Sequence, residues 1–143
     1  MNNNNSIELY PYNPMSQQKT FRLLMQAFSY PGRVVNLSHL SIPLVGVLAT
    51  LVDNAVHLHD ATGSLNPDVF LKLELKNTPP ENAQFILADG SQSPRFTPHT
   101  GSLEEPEDGA TVIVQVKGFE PDESPLVLKG PGIATQQVLH VQG

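Results

Sequence analysis

The sequence contains no cysteine, which excludes a disulfide framework, iron–sulfur ligation and a thiol nucleophile. Long hydrophobic runs are also missing. The longest apolar stretch, residues 42–52, is interrupted by proline, glycine and threonine and is far shorter than the roughly 20 residues that span a bilayer. The N-terminus, MNNNNSIELY, lacks the basic residues and apolar block of a secretory signal. We therefore expect a cytoplasmic protein that does not associate with membranes.

Positive charge is scarce. Eight Lys and Arg residues stand against 14 Asp and Glu, which gives a net charge of −6. Binding to nucleic-acid phosphates requires clustered cations, and the cations here are scattered, so we expect no nucleic-acid partner. The length of 143 residues and the 39% hydrophobic content suit one core. We predict a flexible tail over residues 1–12 and a single domain over residues 13–143.

The segment FRLLMQAFSYPGRVVNL, residues 21–37, predicts a helix that passes abruptly into a strand. Asn13-Pro14 is a favourable start for this helix, because Asn caps free backbone N–H groups and proline suits the first turn. The helix is therefore predicted over residues 14–29. Four apolar residues have the spacing that lines one helix face, and we expect that face to be buried: Phe21, Leu24, Met25 and Phe28.

The junction Tyr30-Pro31-Gly32 ends this helix. The residue before a proline is driven out of the α region, and glycine tolerates a sharp exit. Residues that prefer β structure follow, which predicts a strand over residues 33–37. We interpret the junction as a tight return of the chain from helix to sheet. The alternative, an anion site, is disfavoured because a helix C-terminus carries the negative end of the dipole.

The rest of the chain alternates helices with short apolar strands, and this alternation predicts an α/β fold with a mixed sheet. A second helix ends at Asp53-Asn54, and a third follows Asn66-Pro67, where a strand remains the alternative. Residues 89–109 are predicted to be a loop with one short helical turn. The predicted strands cover residues 56–59, 84–88, 110–116 and 125–129, the last two as an antiparallel hairpin.

Three short motifs are candidates for chemistry. His57 and His59 would lie on one side of a strand and could chelate a transition metal, although an exposed strand face is the alternative. Asp53-Asn54 could face a cleft at the end of a helix or form an ordinary turn. Gly130-Pro131-Gly132 resembles part of a phosphate-binding loop but lacks the required spacing, which favours a tight turn. No nucleophile and base occur in a recognisable arrangement.

Four segments of the chain, in order, carry a family resemblance: FRLLMQAFSYPGRVVNL, LATLVDN, EDGATVIVQV and LVLKGPGI. Together they resemble the H-protein (PhnH) family of the bacterial carbon–phosphorus lyase system, over residues 15–133. The positions that match the family motifs are interpreted as structural or interface positions, with no catalytic, cofactor or metal role. They are Phe21, Arg22, Pro31, Gly32, Asp53, Asn54, Gly109, Gly130 and Gly132.

The resemblance implies a three-layer α/β/α fold similar to the large domain of pyridoxal-phosphate-dependent transferases, without the cofactor or its lysine. It further implies an accessory subunit that works with the G, I and J proteins and forms a homodimer. The family complex makes ribose 1-phosphonate 5-triphosphate from ATP and an alkylphosphonate, before a lyase step. Family members continue beyond the GPGI segment. We therefore expect this chain to lack a C-terminal segment and to leave a sheet edge or apolar face uncovered.

Two other functions remain open on the residues alone. One is a stand-alone hydrolase or metal-binding enzyme that uses His57 and His59. The other is a module that binds a nucleotide or phosphonate at the strand ends, where open α/β sheets usually bind ligands.

Overall fold

The computed structural model describes residues 13–53, 55–121 and 125–143. These residues form two compact units. The helical unit comprises residues 13–52 and 128–137, and the sheet unit comprises the described part of residues 53–127 with residues 138–143. The prediction of a tail over residues 1–12 lies outside the described residues, and the single domain over residues 13–143 stays a prediction.

The helical unit contains α1, Pro14–Ser29, and α2, Pro43–Leu51. The Asn13 side chain accepts hydrogen bonds from the backbone N–H groups of Met15 and Ser16, at 3.0 and 3.3 Å. This cap satisfies two of the free donors at the start of α1. The predicted bounds of α1 are therefore confirmed at both ends.

The inward face of α1 is not the predicted one. Phe21, Met25 and Phe28 are 53%, 48% and 62% exposed. Thr20 is 1% exposed, and its hydroxyl donates to Ser16 O at 2.9 Å. Because that proton is used, His39 Nε2 must be the donor in its 2.9 Å bond to Thr20 Oγ1. A polar pair thus occupies the inner face of the helix, and the apolar stripe lies beside it.

Contacts between α1 and α2 are both polar and apolar. Gln17 Nε2 donates to Ala49 O at 3.2 Å, which links the two helices. Val45 and Leu48 of α2 are buried, and Leu48 has no exposed surface. Gly46 fits against Leu40, since a Cβ at position 46 would lie 2.5 Å from Leu40 Cδ1. The apolar core of the helical unit therefore centres on α2.

The strand predicted over residues 33–37 does not form. The chain makes a turn instead, in which Arg33 N donates to Tyr30 O at 2.9 Å and Gly32 has a φ of +89°. The Arg33 guanidinium lies 4.6 Å from the centre of the Tyr30 ring, a cation–π contact. β-Preferring residues indicate extended backbone, but a strand also needs a neighbour with which to pair, and none of the described residues supplies one here.

The sheet unit is built on four strands: β1, His57–Asp60; β2, Lys76–Asn77; β3, Phe85–Asp89; and β4, Thr111–Gln115. Their order is β2-β1-β3-β4, and the three pairings are all parallel. Helix α3, Pro67–Lys72, connects β1 to β2. Short 3-10 turns cover Pro80–Asn82 and Pro106–Asp108. The protein is thus α/β, as predicted, but the four-stranded sheet is parallel and not mixed, because α3 and the longer connections return the chain to the same end of the sheet before each strand.

The core of the sheet unit surrounds β1 and β3. Leu58, Ile86 and Leu87 are fully buried. Because successive side chains of a strand point to opposite faces, Ile86 and Leu87 show that β3 is covered on both sides. Strand β4 lies at the edge of the sheet, and Val112 and Val114 remain 38% and 49% exposed.

The predicted hairpin between residues 110–116 and 125–129 is wrong. Strand β5, Leu126–Leu128, pairs with β6, Gln137–Leu139, while β4 pairs with β3. The intervening residues 129–136 include Gly130 and Gly132 at φ values of +147° and +83°. Two glycines in conformations that other residues avoid allow the turn in this connection. Among the described residues, no helix is both long enough and apolar enough to cross a bilayer.

Leu48→Ala and Phe28→Ala test which side chains form the core. Leu48 is fully buried, so its truncation should lower the free energy of unfolding by about 2–5 kcal/mol. Phe28 is 62% exposed, so its truncation should cost less than about 1 kcal/mol. Urea denaturation of both variants measures the two values. A larger loss for Phe28→Ala than for Leu48→Ala would contradict the observed orientation of α1.

Candidate functional site

A cleft opens at the carboxyl ends of β1 and β3. From β1 the chain continues to β2, which pairs with one edge of β1. It then continues to β3, which pairs with the opposite edge of β1. Neighbouring strands whose connections run in opposite directions form a topological switch point. Open α/β sheets bind ligands at such points, outside the carboxyl ends of the strands. The position of the cleft therefore follows from the strand order.

The cleft has a volume of about 890 Å³, within the range of small-molecule sites. Ala88, Val112 and Val114 form its apolar floor. The register aligns Ala88 with Val114, and His59 and Val112 are both aligned with Ile86, so these side chains share one face of the sheet. Residues 92–96 with Pro98 form one wall, and Pro80 lies across from them as part of the lining.

His59 is held in a defined tautomer. Its Nδ1 lies 3.0 Å from Thr78 O, and a carbonyl oxygen only accepts, so Nδ1 carries the proton. In the neutral ring Nε2 therefore has the free lone pair. His57 lies two residues earlier on the same strand, as the metal hypothesis requires. Among the described residues, however, no group of three or more His, Asp or Glu side chains is arranged to hold a metal ion.

Two carboxylates, Asp60 and Asp89, belong to the last residues of β1 and β3. Asp60 accepts from the backbone N–H groups of Thr62, Gly63 and Leu65, at 2.9, 3.1 and 2.8 Å. These bonds use the Asp60 carboxylate to fold the turn after β1. Asp89 accepts from the hydroxyl and the backbone N–H of Ser91, at 2.7 and 2.9 Å. Each carboxylate therefore organises the loop at the carboxyl end of its strand.

Asp89 and Arg95 bring opposite charges to the cleft. The hydroxyl of Ser91, then its backbone N–H, lowers the pKa of Asp89 below its ordinary value, so this carboxyl is ionised at neutral pH. Arg95 is exposed, and among the described residues no carboxylate forms an ion pair with it. The cleft thus combines an apolar floor with one cation that is open to an incoming group.

Ser91→Ala tests the cause of the Asp89 shift. Loss of the hydroxyl should raise the pKa of Asp89 toward its ordinary value, because the largest stabilisation of the carboxylate is removed. A lowered pKa contributes stability that is present above the unfolded-state pKa and is lost as pH falls through the folded-state pKa. NMR titration of the Asp89 side chain measures the change. Ser93→Ala is the control, and an unchanged Asp89 pKa in Ser91→Ala would contradict the assignment.

The family-motif glycines of the helical unit come together. A Cβ on Gly132 would lie 3.6 Å from Pro31 Cδ. A Cβ on Gly32 would fall on Gln137 Cγ and would also lie 3.4 Å from Leu128 Cδ1. The Pro31-Gly32 turn therefore packs against the segment that contains Gly130-Pro131-Gly132. This close approach supports the tight-turn interpretation of each motif, and the structural role of these positions stays a prediction.

The other motif positions are dispersed. Phe21 and Arg22 are exposed on α1. Asp53 precedes β1, in a turn where Val56 N bonds Asp53 O at 3.4 Å, and Gly109 closes a 3-10 turn by donating to Pro106 O at 3.2 Å. Asn54 lies outside the described residues. Their proposed interface roles stay predictions.

Gly32→Ala and Gly63→Ala separate crowding from backbone strain. Both glycines have a positive φ, +89° and +65°, but a Cβ on Gly63 would meet nothing within 4 Å. Gly63→Ala should cost about 1–2 kcal/mol of stability, the strain of the left-handed conformation. Gly32→Ala should cost more, because Gln137 must also move. Thermal or urea unfolding measures both, and equal costs would show that the contact with Gln137 is unimportant.

The chain is thus an α/β protein with a parallel sheet and a cleft at the topological switch point, the position where open α/β sheets bind ligands. The chain matches the family described as bacterial phosphonate metabolism protein (PhnH) over residues 10–143. It is 49% identical over 129 residues to the putative C-P lyase subunit protein HtxG of Stutzerimonas stutzeri. That alignment covers 89% of this chain and 65% of the relative, so the chain spans less than two thirds of the relative's length. The chain belongs to the PhnH family, as its four motifs predicted.

The sequence did not identify the residues of the cleft, apart from His59. The available signal was the position of polar residues after two of the predicted strands. Asp60 and Thr62 follow the strand predicted over residues 56–59, and Asp89 follows the strand predicted over residues 84–88. The strand order was needed to show that these two strand ends are neighbours. Arg95 and Phe96 lie in a loop without regular structure, where sequence periodicity gives no orientation.

Proposed function

We propose that the chain is an accessory, non-catalytic subunit of a carbon–phosphorus lyase complex in organic phosphonate catabolism. The observation that carries the proposal is the 49% identity over 129 residues to a protein named as a C-P lyase subunit. The family match over residues 10–143 supports the same pathway. Because the relative is longer, its role is transferred to this chain as a proposal.

The surface of α1 supports a role as a subunit. Phe21, Met25 and Phe28 lie at i, i+4 and i+7 and are about half exposed or more, so they form one apolar stripe. The same helix carries Lys19 and Arg22 and no acidic residue. An apolar groove with an acidic rim would complement this helix, in the manner of helix-in-groove recognition.

The finer parts of the proposal follow from the family resemblance. The partners would be the G, I and J proteins, and the chain would form a homodimer in the cytoplasm. The transferase step on ATP and alkylphosphonate, and the later lyase step, would belong to other subunits, so this chain would need no cofactor. Its fold would be the three-layer arrangement of pyridoxal-phosphate-dependent transferases, which the parallel sheet supports only in part.

A stand-alone metal enzyme at His57 and His59 is the weaker proposal. The described residues bring no third ligand to this pair, and two ligands leave half of a four-coordinate zinc sphere to water. The tautomer of His59 is compatible with a structural role, because its Nδ1 hydrogen bond fastens the ring to the backbone at Thr78.

Co-expression with the other subunits of a carbon–phosphorus lyase tests the proposal. The chain should co-purify with the complex, and the double variant Phe21→Ser, Met25→Ser should weaken binding at least about tenfold, since buried aromatic anchors dominate interfaces. Leu71→Ser, at a residue 76% exposed on α3, is the matched control. The absence of association would contradict the proposed function. Equal binding by both variants would show that the interface does not include the apolar stripe of α1.

A further inference from the structure

We propose that the cleft of the sheet unit binds a small organic anion, a phosphonate or phosphate monoester. The anionic head would pair with Arg95, and the carbon chain would lie on Ala88, Val112 and Val114. The choice of phosphonates as the ligand class rests on the proposed function in phosphonate catabolism. The location rests on the geometry of the cleft alone.

The floor of the cleft is suited to an alkyl chain. Val112 and Val114 remain 38% and 49% exposed, although their neighbour Ala88 on β3 is 8% exposed. The ring of half-buried Phe96 lines the same cleft. Each methylene group that is removed from water on such a surface strengthens binding up to about fourfold. A ligand with a longer carbon chain therefore binds more tightly, until the floor is covered.

Arg95 provides the site for the anionic head. A guanidinium presents two parallel N–H donors, which match the spacing of two phosphonate oxygens. No carboxylate of the described residues competes for Arg95. Gln92 and Ser93 line the cleft beside it and supply further donors. In the neutral form His59 adds an acceptor at Nε2, which suits a head that still carries one proton.

Asp89 makes the cleft selective. The charged or titratable side chains that line it are Arg95, Asp89 and His59, and the Ser91 hydrogen bonds keep Asp89 ionised. One cation opposed by one anion favours a ligand of low charge. A polyanion such as ATP therefore gains little from its added negative charges, because the attraction of each charge to Arg95 is opposed by its repulsion from Asp89.

Calorimetric titration of the full chain tests the site, with methyl-, butyl- and hexylphosphonate, inorganic phosphate and ATP as ligands. Affinity should rise from methyl- to hexylphosphonate, and phosphate and ATP should bind more weakly than hexylphosphonate. Arg95→Gln should weaken hexylphosphonate binding about tenfold or more, the value of a charge-assisted hydrogen bond. Arg22→Gln, at an exposed arginine of α1, should leave it unchanged. Asp89→Asn should tighten binding of every anion.

A second variant tests the floor without touching a charge. Val114→Thr keeps the shape of the side chain but replaces a methyl group by a hydroxyl. It should therefore reduce the increase in affinity from methyl- to hexylphosphonate. Val127→Thr, at a residue 52% exposed on β5 and outside the cleft lining, is the matched control. Circular dichroism of each variant establishes that the fold is retained.

Three results would overturn the inference: no phosphonate binding at millimolar concentration, phosphate binding as tight as hexylphosphonate, or tight binding of ATP alone. Failure of this inference and failure of the proposed function are distinguishable. A chain that joins the lyase complex but binds no phosphonate rejects the cleft assignment only. A chain that binds hexylphosphonate through Arg95 but joins no complex rejects the subunit role only.

Discussion

The parallel pairing of β1 with β3 is the interaction on which the rest of the sheet unit depends. It aligns Leu58 with Phe85 and His59 with Ile86, and it brings together segments that lie more than 20 residues apart. Buried Leu58, Ile86 and Leu87 stabilise it from both faces. Because β2 and β4 are then added on opposite sides, the switch point and its cleft are a consequence of this one pairing.

Local signals in the sequence predicted local structure well. Asn13-Pro14 and Pro31-Gly32 marked the ends of α1, because caps and breakers act within a few residues. Predictions that required a distant neighbour were less successful. The strand at residues 33–37 has no partner among the described residues, and the hairpin joined the wrong strands. The inward face of α1 carries the Thr20–His39 pair in place of the predicted apolar stripe. The strand ends were anticipated as a place for a ligand, but most residues of the cleft escaped prediction for the same reason, since the cleft exists only once β1 and β3 are paired.

The two units suggest a division of tasks within a subunit. The helical unit exposes the apolar, basic face of α1, which suits the recognition proposed for this helix, and brings two glycine turns into close contact. The sheet unit carries the cleft, whose described lining combines the cation of Arg95 with an apolar floor. Under the proposed function and the ligand inferred for the cleft, this chain would hold a phosphonate within the complex while other subunits catalyse the reactions.

The most direct test of the ligand-holding role is a crystal structure of the chain with 6-bromohexylphosphonate. We expect the phosphonate oxygens within hydrogen-bond distance of the Arg95 guanidinium, and the anomalous peak of bromine over Val112 and Val114. An anomalous peak elsewhere on the protein, or a phosphonate bound away from Arg95, would contradict the account.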